Sequence, residues 1–289
     1  MIDTHFHKHR KSFSQTFPFL QYRDGRYEIV AEGNAALLDA YLDAAGVESY
    51  LEPGVELESN AAALAAAQTD PKLHVAVGVH PTRCIATPWR ERRRLAAWAK
   101  DPHVVAVGET GLDFHYARPE QHRFRQLCWF LWQLRLADRL RLPLVLHVRG
   151  ADAAALRVLR LFRTRLHGGS VHCFQGDAAL ARQYTALGFS VGIGGALLQE
   201  DAAPLCEAVR ALPLERILLE TDAPFVKPLT GLEAQMSKKK LRSVRNTPLI
   251  LPAVIERIAA LKGVSPEEVE RVTSANARAL FILTPNKNL

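Results

Sequence analysis

Short apolar runs rich in β-branched residues alternate with longer amphipathic runs along the whole chain. Runs such as HVAVGV and LPLVLH are apolar almost continuously, which is typical of strands that are buried on both faces of a parallel sheet. We therefore predict eight strands separated by helices. The strands are Met1–Thr4, Val47–Pro53, Leu73–Val79, Val104–Gly108, Pro143–His147, Ser170–Cys173, Phe189–Ile193 and Ile217–Glu220.

Amphipathic segments fill the intervals between the strands and continue after the last one, and we predict helices there. The helices include Asn34–Ala45, Trp89–Lys100, Glu120–Arg139, Ala151–Arg165, Ala178–Leu187, Pro204–Ala211, Pro248–Lys262 and Pro266–Leu280. The aromatic run WFLW at 129–132 lies within one of them, and its spacing predicts helix core in preference to a base-stacking platform.

Eight strand–helix units predict an α/β fold, namely a single (β/α)8 TIM barrel over residues 1–289 with extra C-terminal helices. No linker or low-complexity segment divides the chain. A doubly wound open sheet is the alternative, but no GxGxxG motif follows the first strand. Residues 8–31 form a long insertion between the first strand and the first helix, and its DGR sequence predicts the turn of a small hairpin.

The composition narrows the class of protein. Of 289 residues 48% are hydrophobic and 23% charged, which is typical of a globular protein. No apolar run is long enough to span a membrane, and no secretory signal is visible. The four cysteines are widely spaced without a CxxC pair, so we expect neither a disulfide framework nor a zinc ribbon, and we expect a cytoplasmic location.

The net charge is +7, with a sequence pI near 9.4. Lysine and arginine displace counterions from phosphate backbones, so this charge is compatible with a nucleic-acid partner. Many basic proteins carry the same excess simply as solvated side chains. The charge alone therefore leaves both interpretations open.

Polar residues collect where the predicted strands end, which in a barrel is the face that carries the chemistry. The opening MIDTHFH places two histidines at i and i+2 on one side of an extended segment. Other strand ends carry further histidines and acids. The full set is His5, His7, His80, Glu109, Asp113, His147, Arg149, His172, Glu220 and Asp222.

Four histidines and two carboxylates in this set suit a divalent metal such as zinc, manganese, nickel or iron. The number of donors exceeds the needs of one tetrahedral ion and suits two ions that share a bridging acid. Two such ions activate a water molecule and hold both oxygens of a displacement at phosphorus. The alternative is a set of structural histidines and acids bonded within a core.

Seven motifs occur in order from residue 3 to about residue 281: DTHFH, GVHP, GETGLD, LVLHVR, VHCFQG, ETDAP and NARALF. Together they resemble the TatD-type metal-dependent hydrolases, which are DNases of the amidohydrolase-like TIM-barrel superfamily. The resemblance implies that His5, His7 and Asp222 bind one metal ion and that His147 and His172 hold a second. It also implies that Glu109 bridges the two ions, which are Mg, Mn or Zn.

The chain departs from the family pattern in two places. The sequence VRNTP carries Thr247 where the family commonly has an acid, which leaves the role of that acid in doubt. The insertion at 8–31 is longer than usual and lacks a family pattern, so it bears on substrate access.

Several residues are candidates for work beyond metal binding. Glu109 and Asp222 are predicted to be catalytic, and Asp222 is either the general base or a ligand only. His80 and Arg149 are candidates for substrate contact, with a structural histidine and an ordinary salt bridge as alternatives. The basic run after the eighth strand, SKKKLRSVR, adds substrate-binding candidates or is a solvated loop; its charged residues are Lys238, Lys239, Lys240, Arg242 and Arg245.

The sequence therefore predicts a dinuclear metal-dependent phosphodiesterase, a deoxyribonuclease of 3'–5' exonuclease type that acts on DNA or another phosphodiester. One alternative keeps the metals and changes the bond, giving an amide, ester or lactone hydrolase of the same superfamily. A second alternative is a nucleic-acid-binding barrel without turnover, which would leave the strand-end ligands unexplained.

Overall fold

A computed structural model describes residues 1–9, 13, 16–115, 120–228 and 243–282 of the protein. Eight strands form one sheet in the order β1-β4-β5-β6-β7-β8-β9-β10, and β2 and β3 form a separate two-stranded sheet. The α/β TIM-barrel prediction is confirmed. The strands are Ile2–Asp3 (β1), Phe17–Arg23 (β2), Arg26–Gly33 (β3), Ser49–Pro53 (β4), Leu73–Val77 (β5), Val104–Asp113 (β6), Leu144–Arg149 (β7), Gly169–Val171 (β8), Phe189–Ile193 (β9) and Ile217–Leu219 (β10).

Helices follow most strands of the larger sheet. They are Ala35–Ala44 (α1), Leu57–Ala67 (α2), Arg92–Trp98 (α3), Glu120–Leu140 (α4), Asp152–Leu161 (α5), Ala178–Thr185 (α6), Ala203–Ala211 (α7), Leu251–Lys262 (α8) and Pro266–Phe281 (α9). Trp129 and Phe130 of α4 are fully buried, as expected of helix core. No helix in the described part of the chain is both long enough and apolar enough to cross a membrane.

Contacts divide the chain into two compact units of interleaved segments. The first comprises Met1–Tyr50, Cys173–Ala181 and Gly192–Ala277, and the second comprises Leu51–His172, Arg182–Val191 and Arg278–Leu289. The prediction that residues 1–289 form a single domain stays a prediction.

In the first unit, the two outer strands of the sheet order are hydrogen-bonded to each other. The Thr4 amide donates to the Leu219 carbonyl at 2.9 Å, so β1 lies beside β10. Beyond the strand ends the pairing continues, because Asp222 N donates to His5 O and His7 N donates to Ala223 O, each at 2.9 Å. This seam fixes the HxH motif next to the TDAP motif.

In the second unit, β6 is longer than predicted and runs to Asp113. It pairs in parallel with β7, with Gly111 opposite His147. Gly111 adopts φ +139°, and a Cβ atom there would lie 2.1 Å from the His147 carbonyl oxygen. Only glycine allows this approach, so the GETGLD sequence keeps the strand beside β7 while it carries Glu109 and Asp113.

The insertion folds as the hairpin that the sequence predicts. β2 and β3 are antiparallel and pair Tyr22 with Tyr27 across the turn. Asp24 and Gly25 both have positive φ, which suits the Asp-Gly pair of a tight two-residue turn. The hairpin therefore forms from local turn chemistry and cross-strand pairing.

The hairpin is anchored to the segment that begins the final helices. Leu20 N donates to Arg245 O and Arg245 N donates to Pro18 O, which adds a short stretch of strand pairing. The buried hydroxyl of Thr247 donates to Leu20 O at 2.7 Å and accepts from Leu249 N. Thr247 thus joins the hairpin to the 3-10 turn at Pro248–Ile250, which is a structural task for the position where the family commonly has an acid.

We expect Thr247→Val to lower the free energy of unfolding by about 1–3 kcal/mol, because it removes the hydroxyl that satisfies the buried Leu20 carbonyl. Urea unfolding followed by circular dichroism measures the change. Thr69→Val is the matched control: its exposed hydroxyl contacts only the Ala66 carbonyl of its own turn, at 3.3 Å, among the bonds described. Equal stability of the two variants would contradict the anchoring role.

Candidate metal centre

The first group of candidate ligands lies at the seam between β1 and β10. The Nε2 atoms of His5 and His7 are 3.3 Å apart. The Oδ1 atom of Asp222 lies 3.7 Å from His5 Nε2 and 3.6 Å from His7 Nε2. Both imidazoles are buried, whereas the Asp222 side chain is 16% exposed. Three donor atoms therefore converge on one point that solvent reaches from the Asp222 side.

The spacing of these atoms fits a divalent metal ion. Zinc binds imidazole nitrogen and carboxylate oxygen at about 2.0–2.2 Å, so two donors of a tetrahedral site lie about 3.4 Å apart. The three observed separations, 3.3, 3.6 and 3.7 Å, are close to that value. Imidazole and carboxylate are also the donor types that zinc and manganese accept.

Asp3 connects the two backbone segments that carry this group, one with His5 and one with Asp222. Its carboxylate accepts hydrogen bonds from His5 N at 3.0 Å, from Thr221 N at 3.2 Å and from Thr221 Oγ1 at 2.6 Å. Burial raises the pKa of Asp3 to about 8, against the lowering effect of these bonds. Asp3 therefore positions the backbone that carries His5 and the backbone that carries Asp222.

Glu220 is a further possible metal ligand in this group. Its place at a strand end was predicted from the sequence, but its role as a ligand was not. A carboxylate oxygen of the buried Glu220 lies within 4.8 Å of a ring nitrogen of His5. Its Oε1 accepts from Cys173 N, and a Cβ atom at Gly192 would lie 1.9 Å from Oε2. The i, i+2 spacing of Glu220 and Asp222, the same as in HxH, is the signal that identifies it.

The second group surrounds Glu109 in the other compact unit. Glu109 Oε1 lies 3.0 Å from His147 Nδ1, 3.4 Å from His172 Nε2 and 3.4 Å from His80 Nε2. The Glu109 side chain is buried. Burial opposes its ionised form, but the charges and hydrogen bonds of the three imidazoles together hold the pKa of Glu109 well below its usual range.

His147 lies between two carboxylates. Its Nδ1 faces Glu109, and its Nε2 lies 3.2 Å from Asp113 Oδ2. Burial lowers the pKa of His147, but these two hydrogen bonds raise it overall. A histidine that binds metal through one nitrogen commonly donates its other N–H to a carboxylate, and Asp113 is placed for that task.

His80 differs from the other two histidines in its hydrogen bonding. The Thr82 amide donates to His80 Nδ1 at 3.1 Å, and the Thr82 hydroxyl lies 2.7 Å from the same nitrogen. We assign Nδ1 as the acceptor of the amide, which places the ring proton on Nε2. Burial lowers the pKa of His80 more than Glu109 raises it, which keeps the ring neutral. Nε2–H then donates toward Glu109, and we interpret His80 as a hydrogen-bond donor instead of a metal ligand.

The remaining candidates fall in different places. Arg149 is exposed at the end of β7, opposite Asp113 in the register with β6. Arg245 is half-buried, and its backbone pairs with the hairpin. The other basic candidates, Lys238, Lys239, Lys240 and Arg242, lie outside the described residues.

Comparison with known proteins places these groups in a family context. The family model of the TatD related DNases matches residues 2–282. The 3'-5' ssDNA/RNA exonuclease TatD of Cronobacter sakazakii is 36% identical over 269 residues, which cover 91% of this chain and 94% of the relative. A metal-dependent hydrolase TatD of Mycobacterium tuberculosis is 35% identical over 247 residues, with coverage of 82% and 87%.

Solved structures of TatD homologues also match this chain. The crystal structure of YJJV, a TatD homologue from Escherichia coli K12, matches with a TM-score of 0.79 and 28% identity over 98% of each chain. A TatD family hydrolase from Entamoeba histolytica matches with a TM-score of 0.80 at 20% identity, also over 98% of each chain, which shows the fold alone. Because the family model and the sequence relatives cover most of the chain, the protein belongs to the TatD-related DNase family of metal-dependent hydrolases.

Proposed function

We propose that the protein is a dinuclear-metal 3'–5' exonuclease that hydrolyses phosphodiester bonds of single-stranded DNA. The observation that carries the proposal is the convergence of His5, His7 and Asp222 at separations of 3.3 to 3.7 Å. The choice of substrate is supported by the relatives named 3'-5' ssDNA/RNA exonuclease and by the net charge of +7, which favours a polyanion.

In this proposal the protein holds two divalent ions, which are Mn, Zn or Mg. His5, His7 and Asp222 hold one ion, and His147, His172 and Glu109 hold the other. Glu109 as the bridge between them stays a prediction. The ions, when bound, acidify the attacking water and stabilise charge on the oxygens around phosphorus. The many imidazoles favour manganese or zinc over magnesium, which prefers oxygen ligands.

Only one of the two candidate catalytic carboxylates is placed to accept a proton from water. Glu109 is enclosed by three imidazoles and is almost inaccessible, so it is a poor proton acceptor for an incoming water. Asp222 is 16% exposed and faces two imidazoles. We therefore assign the general base to Asp222, which takes the proton as the water oxygen attacks phosphorus.

Neutral and cationic donors at the strand ends complete the proposed site. His80 directs its uncharged Nε2–H toward Glu109, so its contact with the substrate stays a prediction. Arg149 offers an exposed guanidinium, which binds phosphate oxygens in a fork. We also propose the cytoplasm as the location, since Cys84, Cys128, Cys173 and Cys206 are thiols and not disulfides.

The first test measures metal content. We expect the wild-type protein, reconstituted with Mn²⁺ and dialysed, to hold two equivalents by mass spectrometry, and Asp222→Ala to hold one. Loss of that ligand should lower kcat on single-stranded DNA by roughly two orders of magnitude or more. Asp201→Ala, which changes an exposed acid of the same unit, should keep both equivalents. Full metal content in Asp222→Ala would contradict the assignment.

The second test concerns the orienting role of Asp113. We expect Asp113→Asn to weaken Mn²⁺ binding at the His147 group by about 10- to 100-fold, since a carboxylate partner fixes the tautomer and raises the basicity of a ligating imidazole. Isothermal titration of the chelator-stripped protein measures both sites. The affinity at the His5 group should stay the same. An equal loss at both sites would indicate general damage to the fold instead.

The third test identifies the bond that is cleaved. With Mn²⁺, we expect a single strand labelled at its 5' end to shorten stepwise from its 3' end, and EDTA to stop the reaction. A 3'-terminal phosphorothioate should slow the first step. Amide, carboxylic ester and lactone substrates serve as the comparison set. Strong turnover of any of these without DNA cleavage would replace the nuclease proposal with the superfamily alternative, and metal binding without any turnover would favour the binding-only alternative.

A further inference from the structure

Phe225 is an exposed aromatic side chain beside a candidate metal ligand. It follows the TDAP motif, and 42% of its surface is exposed. Its ring centroid lies 6.1 Å from that of His7, with the two planes at 71°. The other large apolar side chains exposed in the described residues are Ile85, Phe124, Leu161 and Ile282, none of which has a described contact with a candidate ligand.

The backbone holds Phe225 in a defined place. Phe225 N donates to Asp222 O at 2.8 Å, which closes a tight turn around Ala223 and Pro224. Ala223 is fully buried, and its amide donates to Thr221 Oγ1 at 3.2 Å. The ring is therefore carried by the same short segment that supplies Asp222.

One lysine follows the ring along the chain, and its side chain helps to hold this segment in place. Lys227 donates to the Val244 carbonyl at 3.0 Å. Its pKa is lowered, first by burial and then by the nearby positive charge of Arg245. The exposed aromatic face beside a candidate metal ligand suits the flat base of a nucleotide whose phosphate lies at that ligand.

We propose that Phe225 stacks on a nucleobase of the bound single strand close to the scissile bond. The inference rests on the proposed nuclease function and identifies a residue that binds the base for it. Every base has a π-face, so this contact gives affinity and holds the strand end without selecting a sequence. The alternative role is structural: the ring packs on His7 and only orients that imidazole.

A thermodynamic cycle separates the two roles. Wild-type protein and Phe225→Ala are compared on single strands with a tetrahydrofuran abasic residue at each of the last three 3' positions, and on the intact strand. Stacking is lost with either the ring or the base. We expect Phe225→Ala to lower kcat/KM on the intact strand about 5- to 100-fold, mainly through KM. At one position, removal of the base should cost the wild type a similar factor and the variant less than about 2-fold.

Three controls fix the interpretation. Phe225→Trp should stay within about 3-fold of the wild type, because it keeps an aromatic face. Phe124→Ala removes another exposed phenylalanine, and its effect should be independent of the abasic substitution. Mn²⁺ affinity of Phe225→Ala should be unchanged, since a stacking residue does not orient His7.

Additive effects at all three positions would overturn the stacking proposal, and so would a fall in Mn²⁺ affinity that matches the fall in activity. In both cases the wild type would still cleave DNA, and the proposed function would stand. If the metal-loaded wild type neither binds nor cleaves any single strand, the proposed function fails, and the assignment of Phe225 fails with it.

Discussion

The arrangement of the first group of candidate ligands, His5, His7 and Asp222, depends on the hydrogen-bonded seam between β1 and β10. Residues separated by more than two hundred positions meet there, because Thr4 bonds to Leu219 and His5 and His7 bond to the TDAP segment through their backbones. These are backbone bonds in a buried region, where an unpaired group would be costly. The geometry of the ligands is therefore a property of the closed sheet, and the side chains need only adopt ordinary positions upon it.

A buried acid reinforces this seam. Asp3 accepts three hydrogen bonds from the two segments that carry His5 and Asp222, and Thr221 donates two of them. In the other unit Asp113 and the Thr82 amide do similar work, since each determines which nitrogen of a histidine faces Glu109. The candidate ligands His5, Asp222 and His147 are thus oriented by neighbours outside the proposed ligand sets, which is the usual construction of metal sites.

Much of the fold and of the candidate site could be predicted from the sequence, for physical reasons. Parallel strands are near-continuously apolar, and their carboxyl ends lie on one face, so the strand order and the polar strand ends follow from the pattern. The Asp-Gly turn of the hairpin is equally local. Two elements were less accessible. Residues 89–91 form a 3-10 turn after Pro88 before α3 begins, and β6 extends to Asp113 only because Gly111 lets it approach β7.

Two features of the structure depend on tertiary contacts and cannot be predicted from the spacing of residues in the sequence. The tautomer of His80 depends on the direction of one backbone N–H, which is fixed only after the turn at Pro81–Arg83 has formed. The docking of the hairpin through Thr247 depends on a contact between residues 20 and 247. Tertiary contacts of this kind determine which of several chemically equivalent residues does which task.

The glycine at position 192 has a consequence of its own. It leaves the volume that the carboxylate of Glu220 fills, so this acid is placed as much by the absence of a side chain as by its bond to Cys173. A single methyl group there would compete with the carboxylate for the same space without altering any charge. The electrostatic field around His5 therefore depends on side-chain volume on β9 as well as on charge. A neutral substitution at Gly192 would displace the negative charge of Glu220 beside His5.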